Sequence, residues 1–516
     1  MSARLFAVGG IAAGIGILLV RIVPDVHGKP LFEDEAVSGL IAARPLPEIV
    51  VTVLWDRGGA PLHFLLAHAA FAVDGAPSTL RWLSVVFAAA TVPIAYDLGR
   101  RLAGPVAGAS AAVLTGCSGI LAVYGSFGRM YALMAFAGAL AADLFARALE
   151  QRTARASAWA AAGAWLLVAV HPYGGLVAAV EAGVGLWLWR GKPRRAALPV
   201  ALISLAAIPF LVGDLRLASR FDVSGEGEGR LATRREAWDL LMAALKGFAG
   251  GGGLLFAVFV ALALVGAALL ARRNGAFVVF ALVSLALPVV LIAFIPTGRA
   301  PDLSPRHLIY ALAVWAALAG VAVERGSRAL GTPGQALAVG GVAVLAAFST
   351  GGIVDPREVT YTAALGGEDA VAEPVAWLDR TVADGDALYP YSSVFLAALP
   401  EVGKATALPR AQSQSLLAAV DGLDYPVGSV VVAVPTGTAQ VAPVVSGRQF
   451  DRWLVIRRRG PFDGPVEVLA AVSEALRDAD TAVSDPPPAL AGWFALNERV
   501  LCESLADRGA ACPSGG

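Results

Sequence analysis

Long apolar segments recur along the first 350 residues and constrain the fold more than any other feature. A helix needs about 17 to 25 mostly apolar residues to cross a bilayer, and about eleven stretches reach or approach that length. They lie near 5–23, 79–98, 105–123, 130–148, 156–172, 174–189, 196–213, 251–271, 276–296, 306–323 and 333–350. Charged residues make up only 16% of the chain, against about a quarter in a soluble domain. The sequence therefore predicts a polytopic α-helical membrane protein.

Short basic loops between these segments indicate the orientation. They are 100–101, 147–155, 190–195, 272–273 and 325–328. A further apolar stretch, 61–73, has about 13 residues and is shorter than a usual span. If it does not cross and the N-terminus is inside, every one of these loops faces the cytoplasm, as the positive-inside rule requires. We therefore predict about eleven spans, an outer juxtamembrane helix at 61–73 and an extracytoplasmic C-terminus.

The tail from residue 351 differs in character from the rest of the chain. Its apolar runs shorten, and candidate strands at 387–391, 429–434 and 453–457 alternate with helical patterns. This alternation predicts an extracytoplasmic α/β domain at 351–516, after a transmembrane domain at 1–350. Because an extracytoplasmic compartment is oxidising, we also predict a disulfide between Cys502 and Cys512.

Three consecutive carboxylates, Glu33, Asp34 and Glu35, follow the first apolar segment. Such a cluster at the end of a membrane span is costly unless it faces water or takes part in chemistry. Taken alone, it is also compatible with an acidic interfacial loop that stops the span. The motifs that follow favour chemistry.

Five short motifs occur in a fixed order. They are Asp34-Glu35-Ala36, Gly59-Ala60-Pro61-Leu62-His63, Leu80-Arg81-Trp82-Leu83-Ser84, Gly99-Arg100-Arg101 and Gly128-Arg129-Met130-Tyr131. Together they resemble the membrane glycosyltransferases of the GT-C fold, in the branch of protein mannosyltransferases and lipid A aminoarabinose transferases. The resemblance covers roughly residues 1–350 and is strongest between 30 and 135.

The chain departs from the pattern of that branch at several positions. Ala60 replaces the first proline of a Pro-Pro-Leu-Tyr motif, and His63 stands where its tyrosine is usual. A lysine often precedes that motif in lipid A transferases, whereas here Arg57 is the nearby basic residue. These differences put aminoarabinose specificity in doubt.

The resemblance implies transfer of a sugar from a polyprenyl-phosphate donor to an acceptor at the outer face, with inversion at the sugar. Asp34 matches the catalytic aspartate of the family and would serve as the general base for an acceptor hydroxyl. Glu35 would orient the acceptor, hold Asp34 or help to bind a divalent cation. Whether a metal binds stays open, with Asp34 and Glu35 as its ligands if one does.

The leaving lipid phosphate needs cationic partners, and arginine suits phosphate best. Arg129 is the first candidate, followed by Arg57, Arg306 and His307. Aromatic and polar contacts to the sugar are expected from Tyr124, Tyr131 and His171.

Simpler interpretations exist for several of these residues. Arg129 and Arg306 could anchor span ends at the interface, and His171 could belong to an ordinary turn. The two histidines of 61–73, His63 and His68, are interpreted as ordinary interfacial residues. The loop 214–250 would either order over the site or remain a solvated loop.

Two other classes of protein fit the same hydropathy. A lipid-linked glycan transporter would carry polar or charged residues deep within several spans, or paired discontinuous helices, whereas the charges here gather at one face. A catalytically inactive GT-C scaffold would lack the aspartate, and Asp34 is present. The expected partners are a polyprenyl-phosphate sugar, membrane lipid and a glycan, lipid or protein acceptor. The formal net charge of zero gives no reason to expect nucleic acid. We expect the chain in the plasma (inner) membrane of a bacterium, in cell-envelope glycan or glycoprotein assembly.

Overall fold

The structure of the protein is a computed structural model. It describes residues 3–28, 33–56, 60–74, 76, 78–188, 212, 234–294, 303–347, 387–389, 439–441 and 454–456. The chain divides into two compact units, one made of Met1–Gly28 with Ile41–Val354 and the other of Lys29–Leu40 with Asp355–Gly516. The domain boundary after residue 350 stays a prediction.

α-Helices form nearly all of the described part of the first unit. In chain order the helices are α1 (Ala3–Ile22), α2 (Pro24–Gly28), α3 (Glu33–Ala42), α4 (Leu46–Asp56), α5 (Leu62–Phe71), α6 (Ser78–Leu102), α7 (Pro105–Cys117), α8 (Gly119–Gly125), α9 (Tyr131–Gln151), α10 (Ala154–Val170), α11 (Gly174–Leu188), α12 (Arg234–Ala249), α13 (Gly253–Phe294), α14 (Leu312–Ser327) and α15 (Gly331–Ala347). Two 3-10 segments, Pro305–Ala311 and Arg328–Leu330, flank α14. Most of α3 belongs to the second unit.

Five helical segments in the described residues are long and apolar enough to cross a membrane. They are Ala3–His27, Ser78–Leu102, Tyr131–Gln151, Gly253–Leu291 and Pro305–Val344, and the bent pair α7 and α8 would make a sixth. The fold is therefore helical with several candidate transmembrane helices, as expected. The count of about eleven stays a prediction, since most of 196–213 lies outside the described residues. Helix α5 has 10 residues, which is shorter than a span requires.

Helix α13 runs for 42 residues, about twice the length that one crossing needs. Asn274 interrupts it with non-helical dihedral angles, φ −141° and ψ 61°. The Oδ1 atom of Asn274 accepts a hydrogen bond from the backbone N–H of Phe277 at 3.2 Å, in the manner of an N-cap. The interruption falls between the two predicted spans 251–271 and 276–296.

The predicted span 105–123 is broken in the structure. Helices α7 and α8 meet at Ser118 with a bend of 57°, and Ser118 has extended dihedral angles. Polar side chains bond backbone groups at the break: Arg21 donates to the carbonyl of Cys117 at 2.8 Å, and Ser118 donates to the carbonyl of Gly247 at 3.0 Å. The bend directs α8 toward the turn that begins α9.

Small residues allow the central helices to approach closely. A Cβ atom added at Gly14 of α1 would lie 2.5 Å from the carbonyl oxygen of Ala112 on α7. One added at Gly138 of α9 would lie 2.5 Å from the carbonyl oxygen of Tyr310. Such contacts are typical of packed membrane helices, where lipid supplies no hydrophobic driving force between helices.

An ionic cluster joins α6 and α9 at the ends opposite the site described below. Arg101 contacts Asp143 at 3.2 Å and Glu150 at 2.9 Å, and Arg147 contacts Asp97 at 2.7 Å. Asp143 is 1% exposed, so its two arginine partners offset the cost of burying a carboxylate. These acidic residues, together with Glu181 within α11, depart from the expected gathering of charges at one face. The Oε1 atom of Glu181 is buried with no hydrogen-bond partner in the described part of the chain.

Helix α12 corrects the prediction of a loop over the whole of 214–250. Apolar residues at 237, 240, 244 and 248 recur with helical spacing, and Leu240, Ala244 and Phe248 are buried. This face contacts α8 and the 3-10 segment Pro305–Ala311. The apolar residues of this otherwise polar stretch therefore lie on one face of a helix, and that face is packed against the rest of the unit. The rest of the loop lies outside the described residues.

The described part of the second unit includes a three-stranded antiparallel sheet with the order β1-β3-β2. The strands are β1 (Ala387–Tyr389), β2 (Ala439–Val441) and β3 (Leu454–Ile456). β1 and β3 fall within the first and third predicted strands. β2 lies after the predicted 429–434, which is outside the described residues, as are the predicted helices of the tail, Cys502 and Cys512. The α/β assignment stays a prediction.

Candidate functional site

Three turns of the first unit bring aromatic and basic side chains together. The first turn, 126–130, joins α8 to α9, and the second, 171–173, joins α10 to α11. The third is the 3-10 segment Pro305–Ala311 before α14. The second forms because a residue before proline is disfavoured in a helix: His171, which precedes Pro172, has extended dihedral angles and ends α10.

The rings from these turns form one continuous aromatic cluster. Tyr131 lies 4.9 Å from Tyr124, 6.4 Å from His171 and 5.9 Å from His307, between ring centroids. His171 lies 5.1 Å from His307 and stacks on Tyr173 at 5.3 Å with an interplanar angle of 12°. Of these, Tyr173 was absent from the predicted site residues, although it belongs to the same turn as His171.

Backbone hydrogen bonds orient both imidazoles in the same way. The N–H of Tyr173 donates to Nδ1 of His171 at 3.3 Å, and the N–H of Ser304 donates to Nδ1 of His307 at 3.0 Å. Since Nδ1 accepts in both rings, the ring proton resides on Nε2. Each histidine therefore offers an Nε2–H donor.

Two arginines add positive charge to the aromatic cluster. Arg306 holds its guanidinium carbon 5.5 Å from the centroid of the Tyr131 ring, within the range of a cation–π contact. Arg129 interacts electrostatically with His63, His171 and His307. The site thus combines guanidinium groups, N–H donors and tyrosines, which suits a ligand that accepts hydrogen bonds and carries negative charge.

His63 corrects the interpretation of an ordinary interfacial residue. It is 2% exposed and makes a hydrogen bond with the backbone of Gly128, next to Arg129. Burial, together with the positive charge of Arg129, lowers the pKa of His63 to about 3. Its neighbour on the same helix behaves differently, because His68 bonds the carbonyl of Ala42 through Nδ1 at 2.8 Å.

Two polar residues of α6 support the turns around the site. Ser84 donates to the carbonyl of Phe127 at 2.6 Å and thereby fixes the turn that carries Arg129. Arg81, which is almost completely buried, donates to the carbonyls of Asp25 at 3.3 Å and Val26 at 3.2 Å. Both belong to the Leu80–Ser84 motif, so this motif has a structural role in the fold.

The other predicted site residues are Asp34, Glu35 and Arg57. Asp34 and Glu35 stand in the first turn of α3, and Glu35 is completely buried. The side chain of Asp34, and Arg57 as a whole, lie outside the described residues. Of the predicted set, the structure brings together Tyr124, Arg129, Tyr131, His171, Arg306 and His307.

A metal site was left open by the sequence. Within the residues that the structure describes, no group of three or more histidine, cysteine, aspartate or glutamate side chains is arranged to hold a metal ion. The predicted metal ligands Asp34 and Glu35 therefore stay a prediction.

Comparison with solved structures identifies the architecture. The apo structure of ArnT from Cupriavidus metallidurans matches with a TM-score of 0.59 and 14% identity, over 90% of this chain and 100% of that one. The chain has the GT-C fold. The structure of the same ArnT bound to undecaprenyl phosphate matches with a TM-score of 0.54 and 14% identity, over 88% and 98% of the two chains.

A more distant match is the oligosaccharyltransferase of Archaeoglobus fulgidus in complex with Zn and sulfate. Its TM-score is 0.47 at 16% identity, and the match covers 74% of this chain but 56% of that protein, little more than half of its length. No protein-family model matches the sequence, and no curated protein matches it. At 14% identity the two ArnT structures establish the fold alone. The function is argued from the site.

Proposed function

We propose that the protein is a membrane glycosyltransferase, which moves a sugar from a polyprenyl-phosphate donor to an acceptor at the outer face of the membrane. The observation that carries this proposal is the cluster of donors around Tyr131. Arg129, Arg306 and the Nε2–H groups of His171 and His307 are all donors of hydrogen bonds, and a phosphate has only acceptor oxygens. ArnT, which has the same fold, has been crystallised with undecaprenyl phosphate.

The same groups suit the leaving group of the reaction. Transfer breaks the bond between the anomeric carbon of the sugar and the phosphate oxygen, and forms a bond from that carbon to the acceptor oxygen. The bonding electrons leave with polyprenyl phosphate, whose charge increases as the bond breaks. Arg129 and Arg306 are both partly buried, and Arg306 lies over the ring of Tyr131. Their guanidinium groups would stabilise that developing charge.

The acceptor hydroxyl must lose its proton to a base. We assign this role to Asp34 on its sequence motif, with Glu35 as a residue that orients the acceptor or Asp34, or that helps to bind a divalent cation. A single direct displacement inverts the anomeric centre. Tyr124 and Tyr131 present ring faces and hydroxyls suited to a sugar.

The location follows from the same proposal. Transfer at the outer face requires that the 126–130 turn and the 3-10 segment lie outside, with the basic loops in the cytoplasm. The protein would then reside in the plasma membrane with its N-terminus inside and residues 351–516 outside. Its acceptor would be a protein, a lipid or a glycan of the cell envelope.

The experiment that tests this function compares the native protein with Asp34→Asn in lipid nanodiscs. Radiolabelled undecaprenyl-phosphate sugars are supplied with an envelope fraction as acceptor, and released undecaprenyl phosphate is measured. We expect release by the native protein, a loss of about 100-fold or more in the variant, and unchanged donor binding. Binding of donor without release from any sugar by the native protein would contradict the transferase and favour transport or a scaffold. Full activity of the variant would exclude Asp34 as the base.

A further inference from the structure

We propose that His63 accepts a hydrogen bond from a hydroxyl of the transferred sugar and so helps to select the donor. This inference rests on the proposed function, because it assigns one more contact in the same site. It concerns a position at which this chain carries histidine where the related motif carries tyrosine.

The first observation is a buried nitrogen atom that makes no hydrogen bond within the described part of the chain. His63 is almost completely buried in α5, and its Nε2 atom has no hydrogen-bond partner in the described part of the chain. Burying a polar atom without a partner costs free energy, and such atoms are rare in folded proteins. Where one occurs beside a ligand site, a bound ligand can supply the missing partner.

The second observation fixes what Nε2 can do. The hydrogen bond between His63 and the backbone of Gly128 joins a ring N–H to a carbonyl oxygen, and Nε2 takes no part in it. The proton therefore resides on Nδ1, and Nε2 keeps its lone pair. The positive charge of Arg129 also opposes a second proton on the ring. His63 is thus a fixed, neutral acceptor.

The third observation is the chemistry of its surroundings. Arg129, Arg306, His171 and His307 present hydrogen-bond donors, whereas a sugar hydroxyl must also donate its own hydrogen. His63 supplies an acceptor for that hydrogen. It bonds the residue that directly precedes Arg129, and Arg129 is the proposed ligand of the donor phosphate. In a polyprenyl-phosphate sugar, the group attached to the phosphate is the sugar, so we assign the hydroxyl to the sugar.

Two substitutions separate a contact to the sugar from a structural role. His63→Asn keeps a donor for the Gly128 carbonyl but removes the acceptor at the position of Nε2, whereas the longer side chain of His63→Gln places an oxygen there. His68→Asn is the matched control on the same helix, because His68 bonds Ala42 instead. The probes are undecaprenyl phosphate and undecaprenyl-phosphate mannose, glucose or arabinose, and their affinities are measured with purified full-length protein in nanodiscs.

We expect the native protein to bind at least one sugar-bearing lipid more tightly than bare undecaprenyl phosphate. His63→Asn should lose about tenfold of that preference, as for one hydrogen bond, with bare lipid bound as before. His63→Gln should keep the preference within about threefold. A donor that lacks the contacted hydroxyl should bind the native protein and His63→Asn equally well.

Three results would overturn the inference. Equal preference in all variants would mean that Nε2 makes no contact with the sugar. Parallel loss of bare and sugar-bearing lipid in His63→Asn and His63→Gln would mean that His63 only supports the fold. In the release assay described for the proposed function, a raised KM for the acceptor in His63→Asn, with unchanged donor binding, would assign the hydroxyl to the acceptor. Failure of the native protein to bind any of these lipids would instead refute the proposed function itself.

Discussion

Single side chains decide the charge of the candidate site, and Arg129 is the one that acts on all three histidines around it. If it binds the donor phosphate, Arg129→Gln should weaken binding of undecaprenyl phosphate by about 10- to 100-fold, since a charge-assisted hydrogen bond contributes about 1.5–3 kcal/mol. Arg129→Lys should recover part of the loss, because lysine keeps the charge without the bidentate geometry. Affinities measured in nanodiscs test both expectations.

The matched control is Arg235→Gln. Arg235 belongs to α12, and its side chain is 90% exposed, so its loss should leave the affinity unchanged. If both substitutions weaken binding equally, Arg129 contributes only to the general positive charge of the protein. If neither does, the lipid phosphate binds elsewhere.

A second residue-scale prediction concerns the pH dependence of stability at His63. Its pKa is about 3 in the folded protein against about 6.5 in the unfolded chain. Between these two values the unfolded state binds more protons, so His63 makes the free energy of unfolding fall as the pH falls. The expected loss is about 2 kcal/mol from pH 6.5 to pH 5.

Thermal unfolding of the native protein and of His63→Gln at both pH values provides the measurement. Glutamine does not titrate, so the Tm of the variant should decrease less between pH 6.5 and pH 5. Other groups titrate in both proteins, and their effects cancel in the comparison. Equal decreases in Tm would show that His63 is protonated in the folded state at this pH.

At the scale of elements, the contact between α9 and the 3-10 segment Pro305–Ala311 positions two site residues. Gly138 permits that contact, since a Cβ atom there would lie 2.5 Å from both the Cβ and the carbonyl oxygen of Tyr310. Gly138→Ala should therefore force the 3-10 segment away from α9, at a cost of about 1–3 kcal/mol. Because Arg306 and His307 belong to this segment, binding of undecaprenyl phosphate should weaken together with the Tm.

Gly183→Ala is the control for that substitution. Gly183 lies on α11, and no atom comes within 4 Å of its added Cβ. Alanine there should leave binding unchanged and should not lower the Tm, since alanine favours helix over glycine. A Gly138→Ala variant with native stability and binding would mean that the two elements can separate without cost.

The predicted site residues that the structure brings together stand at or beside turns, whereas His63 stands on a helix. Arg129, Tyr131, His171 and Arg306 are predicted from motifs that resemble those of the family, and the structure places all four at or beside helix ends. The sequence does not predict the burial of His63, because α5, with the sequence LHFLLAHAAF, is apolar on every side. A helix without a polar face gives no periodic signal for the face that is buried.

The sequence does not predict the break at Ser118, for a related reason. It falls within an apolar run that has no charge and whose proline, Pro105, stands at the start and not at the break. The break depends on partners that are distant in sequence. The Arg21 side chain bonds the carbonyl of Cys117 at 2.8 Å, and Ser118 bonds the carbonyl of Gly247 at 3.0 Å. Contacts of this range are decided by tertiary packing, which hydropathy along a single segment does not report.

At the scale of the whole molecule, hydropathy identified the class of the fold because hydrocarbon satisfies no backbone hydrogen bonds and so permits few architectures. The structure matches ArnT over 90% of the chain although only 14% of the residues are identical, so the fold depends on the pattern of apolar segments more than on particular residues. The GT-C fold persists here although Ala60 and His63 depart from the expected motif. Of the two, His63 interacts with Arg129 of the aromatic cluster, so under the proposed function this departure would affect which sugar is bound.

The orientation of the protein in the membrane can be tested at the two ends of helix α9. Tyr131 begins α9 within the aromatic cluster, and Gln151 ends the helix beside Arg152 and close to Arg155. The positive-inside rule predicts that Gln151 faces the cytoplasm.

In a cysteine-free background, Gln151→Cys should react with an impermeant thiol reagent only in inside-out vesicles, and Gly366→Cys only in right-side-out vesicles. Since α9 has 21 residues and can cross once, a cytoplasmic Gln151 places the Tyr131 cluster at the outer face, where the proposed transfer occurs. The opposite labelling would place the cluster inside and rule out an outer acceptor.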